Sequence, residues 1–293
     1  MTTTADSSPS KLKIYTAFFK LRLASLVVFS ACLGYLFADQ ATNHFWLEIS
    51  CLALGGFLIT GASNGINQIL EKELDAKMNR TQNRPLPTGN LAVNEAWAVA
   101  FVSAIFGLAL LYFGLNPISA LLGLLSLVSY AFIYTPLKQV TSFSVFVGAF
   151  PGAVPPMLGW VAATGHFGLE AGILFVVQFI WQFPHFWAIA WVLDDDYNQG
   201  GFRLLPSAGG RDKSSAYQIL IYSLFTVPVS ILPWAFHLTG TVSLIVAVLS
   251  GLVFCYYAFR LYFSCSIADA RKLMFASFAY LPILQLIYVI DKI

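Results

Sequence analysis

Residues 47–89, LEISCLALGGFLITGASNGINQILEKELDAKMNRTQNRPLPTG, pass from an apolar run into an amide, spaced carboxylates and then a basic, proline-studded loop. The apolar part, about 47–70, is long enough to cross a bilayer as a helix, which takes about 20 such residues. It ends in Asn67, Glu71 and Asp75, which recur every four positions. On a continuous helix each is turned by only about 40° from the last, so the three line one face over roughly 12 Å. Glu73 points elsewhere. A row of oxygen donors that leaves coordination positions open suits Mg²⁺, which takes one or two carboxylates, keeps water and fills the remainder with phosphate oxygens. A solvated helix end would carry the same residues. The loop that follows, Arg80, Thr81, Asn83 and Arg84 before PLPTG, reads as ordered, because proline fixes backbone angles and glycine permits turns. Its guanidinium groups could fold back over phosphate.

Outward from this stretch the chain is apolar throughout. Of 293 residues 58% are hydrophobic and only 10% charged, with mean hydropathy +0.74, whereas soluble domains carry roughly 25% charged residues. Nine spans are expected, at about 22–38, 47–70, 94–114, 117–135, 144–163, 168–191, 215–236, 240–260 and 272–290. They form one all-α polytopic bundle, 22–293, preceded by an N-terminal interfacial segment, 1–21, in which Leu12, Tyr15, Phe19 and Arg22 lie near helical spacing. The opening MTTTADSSPS has neither a signal core nor a transit-peptide character, so the first span reads as a retained anchor. Cys32, Cys51, Cys255 and Cys265 show no CxxC or Cys/His spacing and read as small core residues. The basic residues are scattered over short loops, which excludes a nucleic-acid footprint. No Rossmann glycine pattern, P-loop or nucleophile elbow occurs.

Every Lys and Arg except Lys292 falls on one side of the nine spans. By the positive-inside bias the N-terminus and the basic loops lie in the cytoplasm and the C-terminus outside, in a bacterial plasma membrane. Lys20 and Arg22 read first as topology anchors. Lys138 is the single cation of its loop, so topology gives it work, and a diphosphate contact fits equally well. The fifth span holds Gly148, Pro151, Gly152, Pro155, Pro156 and Gly159, too many breakers for a regular helix, so it suits a pocket wall or close packing at small residues. The sixth ends WQFPHFWAIAWVLDDDYNQGGFRLLP. His185 and Asp196 are separated by three turns plus about 20°, so both could face one cavity if the helix runs on past Pro184. An ionisable residue inside a span is a functional candidate. Tyr197 and Arg203 follow on the same side, and Ser277 and Tyr280 in the last span read as packing.

Two carboxylate-bearing helix ends on one side, four spans apart, resemble the aspartate-rich motifs of the UbiA superfamily of intramembrane prenyltransferases. The finer pattern is Asn67-xxx-Glu71-xxx-Asp75 with NRPLPTG, YTPLK at 134–138, GAVPPMLGW at 152–160, WQFPHFWAIAW at 181–191 and DYNQGGFRLLP at 196–206. It resembles the branch of that family that farnesylates protoheme, from about Lys20 to Tyr280. His185 stands where quinone-pathway relatives carry an acidic residue, and Leu21 departs from a proline common in the family. The resemblance implies transfer of a farnesyl group from farnesyl diphosphate to a vinyl group of heme B with addition of water. It implies Mg²⁺ held by Asn67, Glu71, Asp75 and Asp196, with Arg80, Arg84, Lys138, Tyr197 and Arg203 toward the diphosphate and His185 toward heme. As partners beyond substrates and lipid it implies heme A synthase or terminal-oxidase assembly factors. The competing expectation is a prenyltransferase acting on a quinone or chlorophyll precursor, which shares the diphosphate half of the site. A transporter would set its ionisable groups at the bilayer midplane, and a non-catalytic heme-binding or assembly protein has no use for the carboxylate spacing.

Overall fold

A computed structural model describes residues 9–38 and 42–293, so the polar opening lies mostly outside the described residues. The elements are α1 (Lys11–Phe18), α2 (Leu21–Ala38), α3 (Phe45–Leu70), α4 (Lys72–Asp75), α5 (Val93–Gly114), α6 (Pro117–Val128), a π-helical turn (Ser129–Tyr134), α7 (Thr135–Leu137), α8 (Ser144–Thr164), α9 (Leu169–Val192), α10 (Asp194–Gln199), α11 (Lys213–Ser230), α12 (Leu232–Ala235), α13 (Thr241–Ser264) and α14 (Ile267–Ile290). Among the described residues nine helical segments are long and apolar enough to span a bilayer. Their bounds match the expected spans to within a few residues.

Two buried apolar clusters organise the bundle. One joins α1, α2, α3, α5, α6 and α8 around Phe18, Leu52, Ile66 and Leu111. The other joins α9, α11, α13 and α14 around Trp191, Ile219, Phe254 and Tyr288. The loop after α4 is sewn into both, with Leu86 and Leu91 buried in the first and Met78 in the second. This is why a loop rich in proline and cations keeps a defined shape. The short helix α1 lies against α3, where Gly65 makes room for the Phe18 ring. The chain then turns into α2 through Lys20, which takes a left-handed φ of 51°. Such a conformation disfavours most side chains, so packing on either side holds it.

The expected interruption of the fifth span does not occur: α8 runs unbroken through Pro151, Pro155 and Pro156. Proline removes the donor that would serve the carbonyl four residues earlier, so Pro156 frees the Gly152 carbonyl. Gln178 of α9 supplies the missing donor, its Nε2 lying 2.6 Å from that oxygen. Gln182 Nε2 adds a bond to the Ala149 carbonyl at 3.0 Å. Gln178 Oε1 in turn accepts from Ser30 of α2 at 3.0 Å and from Gln285 of α14 at 2.8 Å. Four helices are thus tied by one buried amide. On its other face α8 crosses α2 backbone to backbone, since a Cβ on Gly34 would strike the Pro156 carbonyl and one on Gly159 the Ala31 carbonyl. Both sequence readings of the fifth span, pocket wall and small-residue packing, are therefore correct for different faces. Gln178→Leu is expected to lower stability by about 1–2 kcal/mol for the interhelical bonds lost, read as a drop in melting temperature in detergent.

Candidate active site

The cavity of the bundle, about 320 Å³, is walled by α2, α3, α6, α8 and α9. Its wall is mostly aliphatic, with Tyr130, Tyr134 and Tyr197 at the end nearest the carboxylates. The π-helical turn presents two of these rings 5.2 Å apart, and π-bulges of this kind are frequent at functional sites. A Cβ on Gly148 would lie 2.7 Å from the Tyr134 ring, so glycine there admits the ring to the wall. At the far end Leu111, fully buried, abuts Gly55 and Gly123 and closes the cavity.

The carboxylates meet at the other end. The helix that carries the motif is not continuous, as the spacing had assumed: α3 stops at Leu70, Glu71 takes φ −99° and ψ 10°, and Asp75 ends the separate turn α4. The Asp75 amide still bonds the Glu71 carbonyl at 2.7 Å, so the three side chains stay on one side of the chain. Asn67 Nδ2 donates to Glu71 Oε2 at 2.8 Å and to Thr135 Oγ1 at 3.2 Å, which locks the amide orientation. Each acidic group is then met by a cation. Lys138 Nζ lies 2.5 Å from Glu71 Oε1, and Arg84 Nη1 donates to Asp75 Oδ2 at 2.6 Å. Lys20 Nζ donates to Asn67 Oδ1 at 3.1 Å. Burial, with Arg84 and Lys138 nearby, pushes the Lys20 amine down to about 7. Burial also lowers Lys138, which Glu71 partly offsets.

The second acidic segment comes to the same place and divides. The helix α9 passes through Pro184 but stops at Val192, and α10 begins a new axis at Asp194. Arg211 takes Asp195 at 2.9 Å and stands 3.9 Å from Asp194. Asp196 turns the other way: its Oδ1 accepts from the Asn79 backbone at 2.7 Å, and Oδ2 stands 4.0 Å from Arg80 Nε. The Arg80 guanidinium also sits over the Tyr197 ring at 5.6 Å. The structure therefore brings together Asn67, Glu71, Asp75, Asp196, Arg80, Arg84, Lys138 and Tyr197. Arg203 stands exposed on its loop and makes no ion pair among the described residues. Lys20, which reads from sequence as a topology anchor, belongs to the cluster. Its signal was one of two cations, with Arg22, at the start of an apolar run, which topology explains equally well.

His185 does not face the cavity. Its α9 neighbours Phe186 and Ile189 do, while the imidazole turns to α14, stacks on Trp181 at 4.3 Å and packs against Phe278. Its Nδ1 lies 2.8 Å from Ser277 Oγ. Ser277 uses its hydroxyl hydrogen on the Met274 carbonyl at 2.6 Å, so Nδ1–H is the donor of the pair and Nε2 carries a free lone pair. The break at Leu193 is why the expected shared face with Asp196 fails.

The UbiA prenyltransferase family matches this chain over residues 27–280. The chain is a member of that family. It is 49% identical to the protoheme IX farnesyltransferase of Christiangramia forsetii over 98% of this chain and 96% of that one. It is 51% identical to the protein of the same description in Flavobacterium psychrophilum, over 93% of this chain and 92% of that one. Among solved structures, a digeranylgeranylglyceryl phosphate synthase aligns with TM-score 0.79 at 20% identity, covering 96% of this chain and 98% of that one. A UbiA homolog from Archaeoglobus fulgidus bound to GPP and Mg²⁺ aligns with TM-score 0.68 at 14% identity, over 94% and 99% of the two chains. These two likenesses establish the UbiA fold of the bundle.

Proposed function

We propose that this chain transfers the farnesyl group of farnesyl diphosphate to a vinyl group of protoheme IX, with addition of water and release of diphosphate. The observation that carries the reading is the juxtaposition of Asn67, Glu71, Asp75 and Asp196, with their four cations, at the tyrosine-lined mouth of an apolar cavity. The acceptor is taken from the relatives, which carry that activity in their names over nearly the whole chain.

The donor half of the site fits a divalent cation. Asp75 Oδ1 and Asp196 Oδ2 are buried and meet no hydrogen-bond donor, and all the candidates are hard oxygen donors. Among the described residues no three His, Cys, Asp or Glu side chains stand close enough to hold an ion by themselves. Mg²⁺ takes few protein ligands and completes its shell with water and phosphate oxygens. Asn67, Glu71, Asp75 and Asp196 would hold it, and it would neutralise the leaving diphosphate. Arg84 and Lys138 are then released from their carboxylate partners, and Lys20 from the Asn67 amide oxygen, to phosphate oxygens, so the two carboxylate charges pass to the cation and the basic groups to phosphate. The C1–O bond of the donor breaks with its electron pair on diphosphate. Tyr130, Tyr134 and Tyr197 face the allylic cation with electron-rich rings, and the aliphatic wall excludes water from it. The cation adds to the vinyl group, and water takes the new positive centre and loses a proton.

For the acceptor, the free Nε2 of His185 is the chain's candidate contact to heme iron, with Ser277 fixing the tautomer as outer partners of metal-bound histidines do. His185→Ala is expected to weaken protoheme binding at least tenfold while leaving Mg²⁺-dependent binding of farnesyl diphosphate within about twofold of wild type. Separate titrations of the two ligands on purified protein decide it, and unaltered heme affinity would return His185 to packing. The whole reading is tested by incubating purified protein with farnesyl diphosphate, Mg²⁺ and protoheme and looking for the farnesylated pigment by mass. Donor turnover without that pigment would point to a quinone-type acceptor. The carboxylate end is assigned to the cytoplasm by the positive-inside bias. A cysteine placed at Lys77 in a background lacking native cysteines is expected to resist impermeant maleimide in intact cells and to react in inverted vesicles.

A further inference from the structure

A second hollow lies on the outside of the bundle, away from the cavity and its carboxylates. It is a groove of about 490 Å³ between α13 and α14. Its floor is the stacked pair Phe254 and Tyr280, rings 5.2 Å apart and both buried. Leu249 and Phe275 stand up on either side, each more than half exposed. Ser250, Ala276 and Ala279 keep the hollow open, and Lys272 closes one end. From Lys272 to Ile283 it runs about 16 Å along α14, which is about half the thickness of a bilayer's hydrocarbon core. The groove therefore spans one leaflet.

Its charged end is unbalanced. Arg260 and Lys272 both turn to Asp269 Oδ1, at 3.2 and 3.5 Å, and both remain about half exposed. Two cations thus share one carboxylate, and Arg271 beside them is exposed. A zwitterionic lipid would satisfy the apolar groove and leave this excess uncompensated. Basic pockets between helices at a membrane surface are recognised by anionic headgroups.

We propose that the α13–α14 groove binds one anionic phospholipid, its phosphate at Arg260 and Lys272 and one acyl chain along the Phe254–Tyr280 floor. Native mass spectrometry of the full-length protein, extracted from vesicles of equal phosphatidylglycerol and phosphatidylcholine, reads this directly. Wild type is expected to retain a single phosphatidylglycerol at roughly tenfold excess over phosphatidylcholine. Lys272→Gln removes the headgroup contact and Ala276→Leu fills the groove with the cations untouched, so each is expected to abolish the excess. Ala279→Leu, on the same wall, is the second filler should Ala276→Leu not extract as a folded protein. Equal retention of the two lipids by wild type would overturn the proposal. So would loss of the excess in Lys272→Gln alone with both fillers unaffected, since surface charge without a seated chain would then explain it.

Discussion

Asp75→Asn and Glu71→Gln are each expected to cut farnesyl transfer by about a thousandfold or more, roughly 4 kcal/mol of transition-state stabilisation, while leaving a folded, membrane-inserted protein. Both changes keep the shape and remove one negative charge. Asp75 is fully buried, with one oxygen on Arg84 and the other without a hydrogen-bond donor. Asparagine can still accept from Arg84 through its carbonyl, but it offers a poor ligand to a divalent cation. Glutamine at 71 likewise keeps its bond with Asn67 and loses the charge that meets Lys138. Product measured in membranes with matched protein levels decides the matter, and near-normal yield from either variant would remove that residue from the metal-binding proposal. Asp195→Asn is the contrasting control, because its carboxylate serves Arg211 on the far side of α10.

Lys138→Ala is expected to do two separable things. The Lys138–Glu71 pair is nearly closed to solvent, with side chains 11% and 4% exposed. Removing one partner of a buried pair leaves an uncompensated charge and costs about 3–5 kcal/mol. The single variant should therefore melt well below wild type. Adding Glu71→Gln removes the stranded charge, so the double variant should recover most of that stability and yet transfer no farnesyl group. A double-mutant cycle isolates the coupling because the two side chains touch. If Lys138 were only a topology anchor, the single variant would melt and turn over like wild type. Arg80→Ala offers a comparison, since the Arg80 side chain is 44% exposed and stands 4.0 Å from Asp196. There a surface-like pair is worth about 0–1 kcal/mol, and the expected effect falls on donor affinity.

The nine spans and their lengths were legible in the sequence because the hydrocarbon thickness sets a local requirement that each segment meets or fails alone. That Asn67 and Glu71 lie on one side was legible for a similar reason, since Glu71 caps the helix that carries Asn67 and its amide still bonds the Asn67 carbonyl at 3.0 Å. Asp196 was marked in the sequence only by its phase relative to His185, and it is α10, beginning a new axis at Asp194, that directs Asp196 toward Asn79 and Arg80 and leaves Asp195 to Arg211. What tertiary structure decided is where local rules meet a distant partner. Proline inside α8 reads as a break, and the helix continues because Gln178, from a different span, supplies a bond that no residue of α8 could. Lys20 reads as an anchor, and it enters the site because α1 packs on α3 and the chain turns back through a left-handed residue. His185 and Asp196 share a phase on paper, but the break at Leu193 separates their axes and Ser277 draws the imidazole to α14. Spacing along one helix fixes direction only while that helix lasts, and the ends of helices are where packing, rather than phase, chooses the partner.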